Sequence, residues 1–141
     1  MQIIFTKIKL LLFILSFVFV SCREEIVPPN NIAVNINEPI QTRTGNSYIF
    51  SINADKITAT ITDNTLLDTF KSRIYSVLAD YSSGYVELKV KTSRNNVLYS
   101  KVFDNDTRGT LENIEGSQPD IIVINFQNFT GKLKITLSRA E

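Results

Sequence analysis

The sequence predicts an all-β domain, an antiparallel two-sheet β-sandwich of about eight strands, and three observations carry that prediction. Apolar residues recur at every second position through most of the chain beyond residue 31. Turn-forming residues punctuate these runs at short intervals. Beyond the first 22 residues no long stretch keeps a helical period with capping residues at its ends. Residues 32–141 are enough to build one hydrophobic core and too few for two, so they are assigned to a single domain.

The elements follow in order. Ile32 to Ile36 is a short apolar opening segment. Tyr48, Phe50 and Ile52 form one alternating row, and Ile57, Ala59 and Ile61 alternate with Lys56, Thr58 and Thr60, the signature of half-buried strands. Leu66 to Arg73 has room for a helical turn or two. Ile74 to Leu78 resumes the strand character, and Val86, Leu88 and Val90 alternate with Glu87, Lys89 and Lys91. Val97 to Phe103 follows. The run Ile121-Ile122-Val123-Ile124 is apolar on both faces, which predicts a strand at the centre of a sheet. Leu133, Ile135 and Leu137 complete the set against Lys132, Lys134 and Thr136. Turns are expected at Gly45-Asn46, Asn53 to Asp55, Ser82 to Gly84, Ser93 to Asn96, Asp104 to Gly109, Gly116 to Pro119 and Gly131.

Three of these segments also carry a resemblance. The order Gly84-Tyr85-Val86-Glu87-Leu88-Lys89-Val90, then Asn96-Val97-Leu98-Tyr99, then Phe129-Thr130-Gly131 leading into Leu133 to Leu137 is similar to small jelly-roll or immunoglobulin-like sandwiches. In those domains a glycine often precedes the last strand. The resemblance implies a fold and assigns no functional residue.

The first 22 residues obey a different rule. Lys7 and Lys9 precede a largely apolar run from Leu10 to Val20, which ends at Ser21 and Cys22, the single cysteine of the chain. That run is short of the roughly 20 apolar residues needed to cross a bilayer, and it has the length of a cleaved signal. The pattern resembles a bacterial lipoprotein signal. The resemblance implies that residues 1–21 are a signal peptide and that Cys22 is acylated, becoming the first residue of the mature protein. An ordinary secretory signal is the alternative. A lone thiol has no disulfide partner in an exported protein, so acylation also accounts for its being single. Two or more acyl chains on one terminus hold stably, since each buried methylene contributes about 0.8 kcal/mol. Residues 22–31 are read as a lipidated tether, kept extended by Pro28-Pro29. Arg23-Glu24-Glu25 resembles the export signal that sends lipoproteins of the bacteroidetes group to the outer face of the outer membrane. It implies a lipid-anchored, surface-exposed location.

Composition removes several function classes. Loss of Lys7 and Lys9 with the signal turns the formal charge from +1 to −1, and the remaining basic residues are scattered, so no attraction to nucleic acid is expected. The chain has no histidine, which excludes Ser-His, Cys-His and His-metal chemistry. No cofactor is expected.

Four candidate features remain. Asp104 to Glu115, reading DNDTRGTLENIE, places acids at positions one, three and twelve and a glycine at six of a twelve-residue calcium loop. Arg108 stands where position five needs a ligand oxygen, and the segment lies between strands, so a polar hairpin loop is expected and no metal site is assigned. Asp63, Asp68, Asp80 and Asp104 are the acids open to glycosidic acid-base work, but no spacing selects a pair. Among aromatics, Tyr85 falls on a polar face with Glu87 and Lys89, while Tyr81 and Phe129 sit at strand ends. Asn105-Asp106-Thr107 and Asn128-Phe129-Thr130 match the eukaryotic N-glycosylation pattern and are read as chance in a bacterial lipoprotein. The resulting expectation is a non-enzymatic binding or accessory subunit of the cell envelope with a protein partner. A cell-surface glycan-binding module is the alternative, and a carboxylate-based hydrolase a remote one.

Overall fold

The computed structural model describes residues 35–141. The expected signal peptide, the expected tether and Cys22 lie outside the described residues, as does most of the expected opening strand. Of that strand Asn35 and Ile36 are seen, Ile36 as an isolated bridge to Asn53.

The described chain is antiparallel β-structure with no helix: β1 (Ile40–Thr44), β2 (Ser47–Asn64), β3 (Lys71–Lys91), β4 (Val97–Phe103), β5 (Thr107–Glu115) and β6 (Ile121–Arg139). The strands lie in the order β1-β2-β6-β3-β4, and β5 pairs with β3. All named pairings are antiparallel. As its doubly apolar start predicts, β6 is central, paired with β2 on one side and β3 on the other.

Six strands replace the expected eight because three of them are long and pass through positions expected to be turns. Asn53 to Asp55, Ser82 to Gly84 and Gly131 lie inside β2, β3 and β6. The ladder shifts register at Ala54/Ile57 and Ile57/Ala59, at Ala79/Ser83 and Ser83/Tyr85. Extra residues in a strand bend it and increase its twist. Here the bends align across all three strands and form a crease. Lys56, Asp80 and Asn128 take positive φ there, as does Gly84 at 74°. A side chain on Gly84 would run into the carbonyl oxygens of Gln127 and Asn128, so the crease requires glycine at this position.

The crease folds one sheet onto itself. Phe50 lies opposite Ile135 in the ladder, nine residues along β6 from Phe126. On a flat strand that separation is about 30 Å, yet the Phe50 and Phe126 rings are 6.3 Å apart. One half therefore comprises β1, β5 and residues 47–54, 71–79 and 131–139. The other comprises β4 and residues 57–64, 83–91 and 121–129. Tyr48, Phe50, Ile52, Ile74, Leu78, Val86, Leu88, Phe126, Leu133 and Ile135 from both halves form a single buried core. Predicted alternation holds within each half, and β2 and β6 change the parity of their buried positions at the crease: Ala54 is followed inward by Ile57, Phe126 by Phe129.

Leu66 to Arg73 forms no helical turn. Thr65 to Phe70 is irregular, with the first half of β3 beginning at Lys71. Asp104 to Glu115 is not a loop either. Only residues 104–106 turn, and Thr107–Glu115 is β5, laid along β3. Asp104 and Glu115 thus sit at opposite ends of an extended segment, which cannot encircle an ion.

Candidate functional site

The fold places its connections at two ends. At the creased end the described chain enters and β4 turns into β5. Asn37 is fastened to this end: its backbone N–H donates to Asn53 O at 2.7 Å, its side chain donates to Asp55 O, and it accepts from Asp55 N–H. Each half-strand of eight residues is about 25 Å long, and at its far end the β2–β3 connection, the β3–β4 hairpin and the β5–β6 connection meet.

This loop end is tied by hydrogen bonds. Thr65 N–H donates to Asp120 O, Thr65 Oγ1 to Pro119 O, Gly116 N–H to Phe70 O, and Gln118 Nε2 to Leu67 O. Asp120 binds the hairpin, donating its N–H to Lys91 O and accepting from Ser93 N–H at 2.6 Å. Thr65, Leu67 and Thr69 point inward and are buried, so Leu66, Asp68 and Phe70 point outward. Leu66 is 66% exposed and Phe70 67% exposed. Leu66 also has φ of 57°, a left-handed conformation that costs a residue with a β-carbon about 1–2 kcal/mol. Two open clefts lie beside these side chains. One of about 500 Å³ is lined by Asn64, Leu66, Ser93, Gln118, Asp120 and Ile121. A second of about 290 Å³ adds Phe70, Arg94 and Asn96. Hydrogen-bonded loops, two outward apolar side chains and a polar lining make this end a candidate recognition surface.

The outer face of the second half is the other candidate. Val86, Leu88 and Val90 point into the core, so Tyr85, Glu87 and Lys89 point out, and Tyr85 is 44% exposed. Tyr85 therefore keeps the outward position that its sequence predicts. Tyr81, expected at a strand end, lies inside β3; it is half-buried, and its hydroxyl donates to Gly84 O. Phe129 is fully buried in the core.

The four acids are not brought together as a reacting pair. Asp80 pairs with Lys132 at 2.6 Å and lies at the crease, as does exposed Asp104, whereas Asp63 and Asp68 belong to the loop end. Asp63 is bound to Arg43. Among the described residues no three His, Cys, Asp or Glu side chains cluster as metal ligands.

Leu66 and Phe70 were not legible as site residues, because the apolar spacing from Leu66 to Phe70 reads equally as a helical face. The signal that separates the readings is the alternation of Thr65, Leu67 and Thr69 with Leu66, Asp68 and Phe70.

No protein-family model and no curated protein matches the chain. Solved structures give low-identity likenesses. A protein of the disulfide-linked pili of Bacillus endospore appendages is 15% identical, with 78% of this chain and 97% of that chain covered and a TM-score of 0.46. A family 29 carbohydrate-binding module is 11% identical over 72% of this chain and 70% of its own, with a TM-score of 0.38. A mutant of such a module complexed with mannohexaose is 9% identical over 71% of this chain and 74% of its own, with a TM-score of 0.40.

Proposed function

We propose that the protein is a non-enzymatic binding module, held at the outer membrane by lipid on Cys22, that docks a protein of the cell envelope through its loop end. The observation that carries this reading is the outward setting of Leu66 and Phe70 on loops fixed by hydrogen bonds. Burying such a side chain is worth about 1.5–3 kcal/mol, and at protein interfaces a few central apolar or aromatic residues inside a polar rim carry most of the binding energy. Ser93, Arg94, Asn96, Gln118 and Asp120 supply that rim.

Crosslinking in intact cells tests it. The expected result is one envelope protein recovered reproducibly with the intact chain and lost when Leu66 and Phe70 are both changed to alanine. Recovery of the protein alone, or of the same partner with the double variant, overturns it. The anchor has its own test: Cys22→Ser should release the protein from the membrane fraction, and unchanged membrane association would refute lipidation at Cys22.

A second reading, glycan recognition, is favoured by the exposed Tyr85 ring on a polar sheet face. Titration against a panel of polysaccharides tests it, and absence of binding throughout the panel rejects it.

A further inference from the structure

We infer that the outer face of the second half is a platform for a neutral polysaccharide chain, read by Tyr85, Asn125 and Gln127; this deepens, and rests on, the glycan reading above. Tyr85 lies opposite Gln127 in the ladder, and in the next row Glu87 lies opposite Asn125, which lies opposite Thr60. Outward side chains from β2, β6 and β3 therefore line up across about 10 Å of sheet, the length of about two pyranose units.

The hydrogen bonds on this face are incomplete in a useful way. Thr60 Oγ1 donates to Asn125 Oδ1 at 3.1 Å, and Gln127 Nε2 donates to the same oxygen at 3.2 Å. That oxygen is occupied twice, and the arrangement fixes both amides. The Asn125 Nδ2 group keeps two donors, and Gln127 Oε1 an acceptor, with no partner among the described residues. Donor and acceptor side by side match adjacent sugar hydroxyls, each of which both donates and accepts. The Tyr85 ring beside them offers an apolar surface for the C–H face of a sugar ring.

Charge sets the class of chain. Glu87 and Lys89, which share the outward face of β3 with Tyr85, pair with each other at 2.7 Å, so their charges cancel. An anionic chain lying across Tyr85 finds the Lys89 ammonium already paired, whereas a neutral chain loses no charge interaction by lying there.

The test is calorimetric titration of the full chain in detergent micelles with soluble glucan, mannan and xylan and with the anionic polymers alginate and hyaluronan. A neutral polymer should bind, Tyr85→Ala and Asn125→Ala should each weaken it at least tenfold, and Leu111→Ala, on the other half, should leave it unchanged. Thermal melting verifies that the variants fold, and Gln127→Ala replaces either one that does not. Neutral binding that survives Tyr85→Ala and Asn125→Ala preserves the glycan reading and overturns this face. Tighter binding of the anionic polymers overturns the assignment to a neutral chain, and no binding to any polymer overturns both readings.

Discussion

The two long sides of the folded sheet are each closed by a cation, a carboxylate and a tyrosine, and they are finished differently. On one side Arg43 of β1 reaches across to Asp63 at the end of β2, beside the buried Tyr48. On the other side Lys101 of β4 reaches Glu112 of β5 at 2.6 Å, and Tyr99 donates to the same carboxylate at 3.0 Å. In each triad the cation comes from an outer strand, and the ion pair joins one half to the other. Lys101 also donates to Thr110 Oγ1, whose hydroxyl is bonded to Ser76, so the second triad is completed by neighbours. The Tyr48 hydroxyl is buried and makes no hydrogen bond among the described residues. Asp63 is near enough to raise the Tyr48 phenol, yet its contact with the hydroxyl falls short of a hydrogen bond. Folding a sheet over brings opposite charges together readily. Satisfying every polar atom beneath them is a separate requirement, met on the β4–β5 side only.

The severest way to break the comparison is to remove what both sides close upon. Ile124 is fully buried on the central strand, and Ile124→Asp places an unpaired charge between the halves, a change expected to unfold the domain. Circular dichroism should show loss of the cooperative thermal transition, and an unchanged melting temperature would refute the strand assignment. Smaller changes sharpen the contrast. The Asp63 side chain is only 12% exposed, whereas that of Glu112 is 43% exposed. Arg43→Met strands the more buried charge and should cost about 2 kcal/mol, while Lys101→Met should cost about 1 kcal/mol or less. Denaturant unfolding of the two variants measures the order, and a larger loss for Lys101→Met would reverse the argument.

How far this was legible in the sequence can be judged at particular residues. Alternation located the inward faces of β2, β3 and β6 because burial has the period of the strand itself. It could not show that Asn53 to Asp55, Ser82 to Gly84 and Gly131 bend strands instead of ending them, since bulges and turns draw on the same residues able to adopt positive φ. β5 stayed hidden because Leu111 and Ile114 fall on opposite faces, leaving no period of two. β1 is exposed throughout, so it carries no apolar row at all. Of the candidate surfaces, Tyr85 followed from its neighbours on the same strand. Leu66 and Phe70 did not, because their outward setting depends on bonds to Pro119, Asp120 and Gly116, some fifty residues away. The triads were illegible for the same reason. Only the crease brings Arg43 to Asp63 and Lys101 to Glu112.

The two tyrosines give the finest contrast. Tyr48→Phe removes a buried hydroxyl that has no partner and should raise stability by about 1 kcal/mol, whereas Tyr99→Phe removes a hydrogen bond to Glu112 and should lower it by about 1 kcal/mol. Thermal melts of the two variants should therefore move in opposite directions, by about 4 °C each for a domain of this size. Equal shifts would mean that the Tyr48 hydroxyl is satisfied after all. Titration adds a second axis. Burial, and then the neighbouring carboxylate, raise both phenols well above the ordinary tyrosine value of 10.0. A raised folded-state pKa means that the unfolded chain gives up these protons first, so stability is intact below pH 10 and falls as the pH rises beyond it. Either phenylalanine variant should flatten that alkaline decline. Glu112 works at the acid end: its hydrogen bond to Lys101 holds the carboxyl below its ordinary value of 4.5. Its contribution is present above that value and lost as the pH falls through the lower folded-state value, and it is small because the group is so exposed. Glu112→Gln should therefore remove a slight acid sensitivity while leaving the alkaline decline due to Tyr48 in place, and a Glu112→Gln variant whose acid profile matches that of the intact chain would show that the Lys101 pair contributes nothing to holding the halves together.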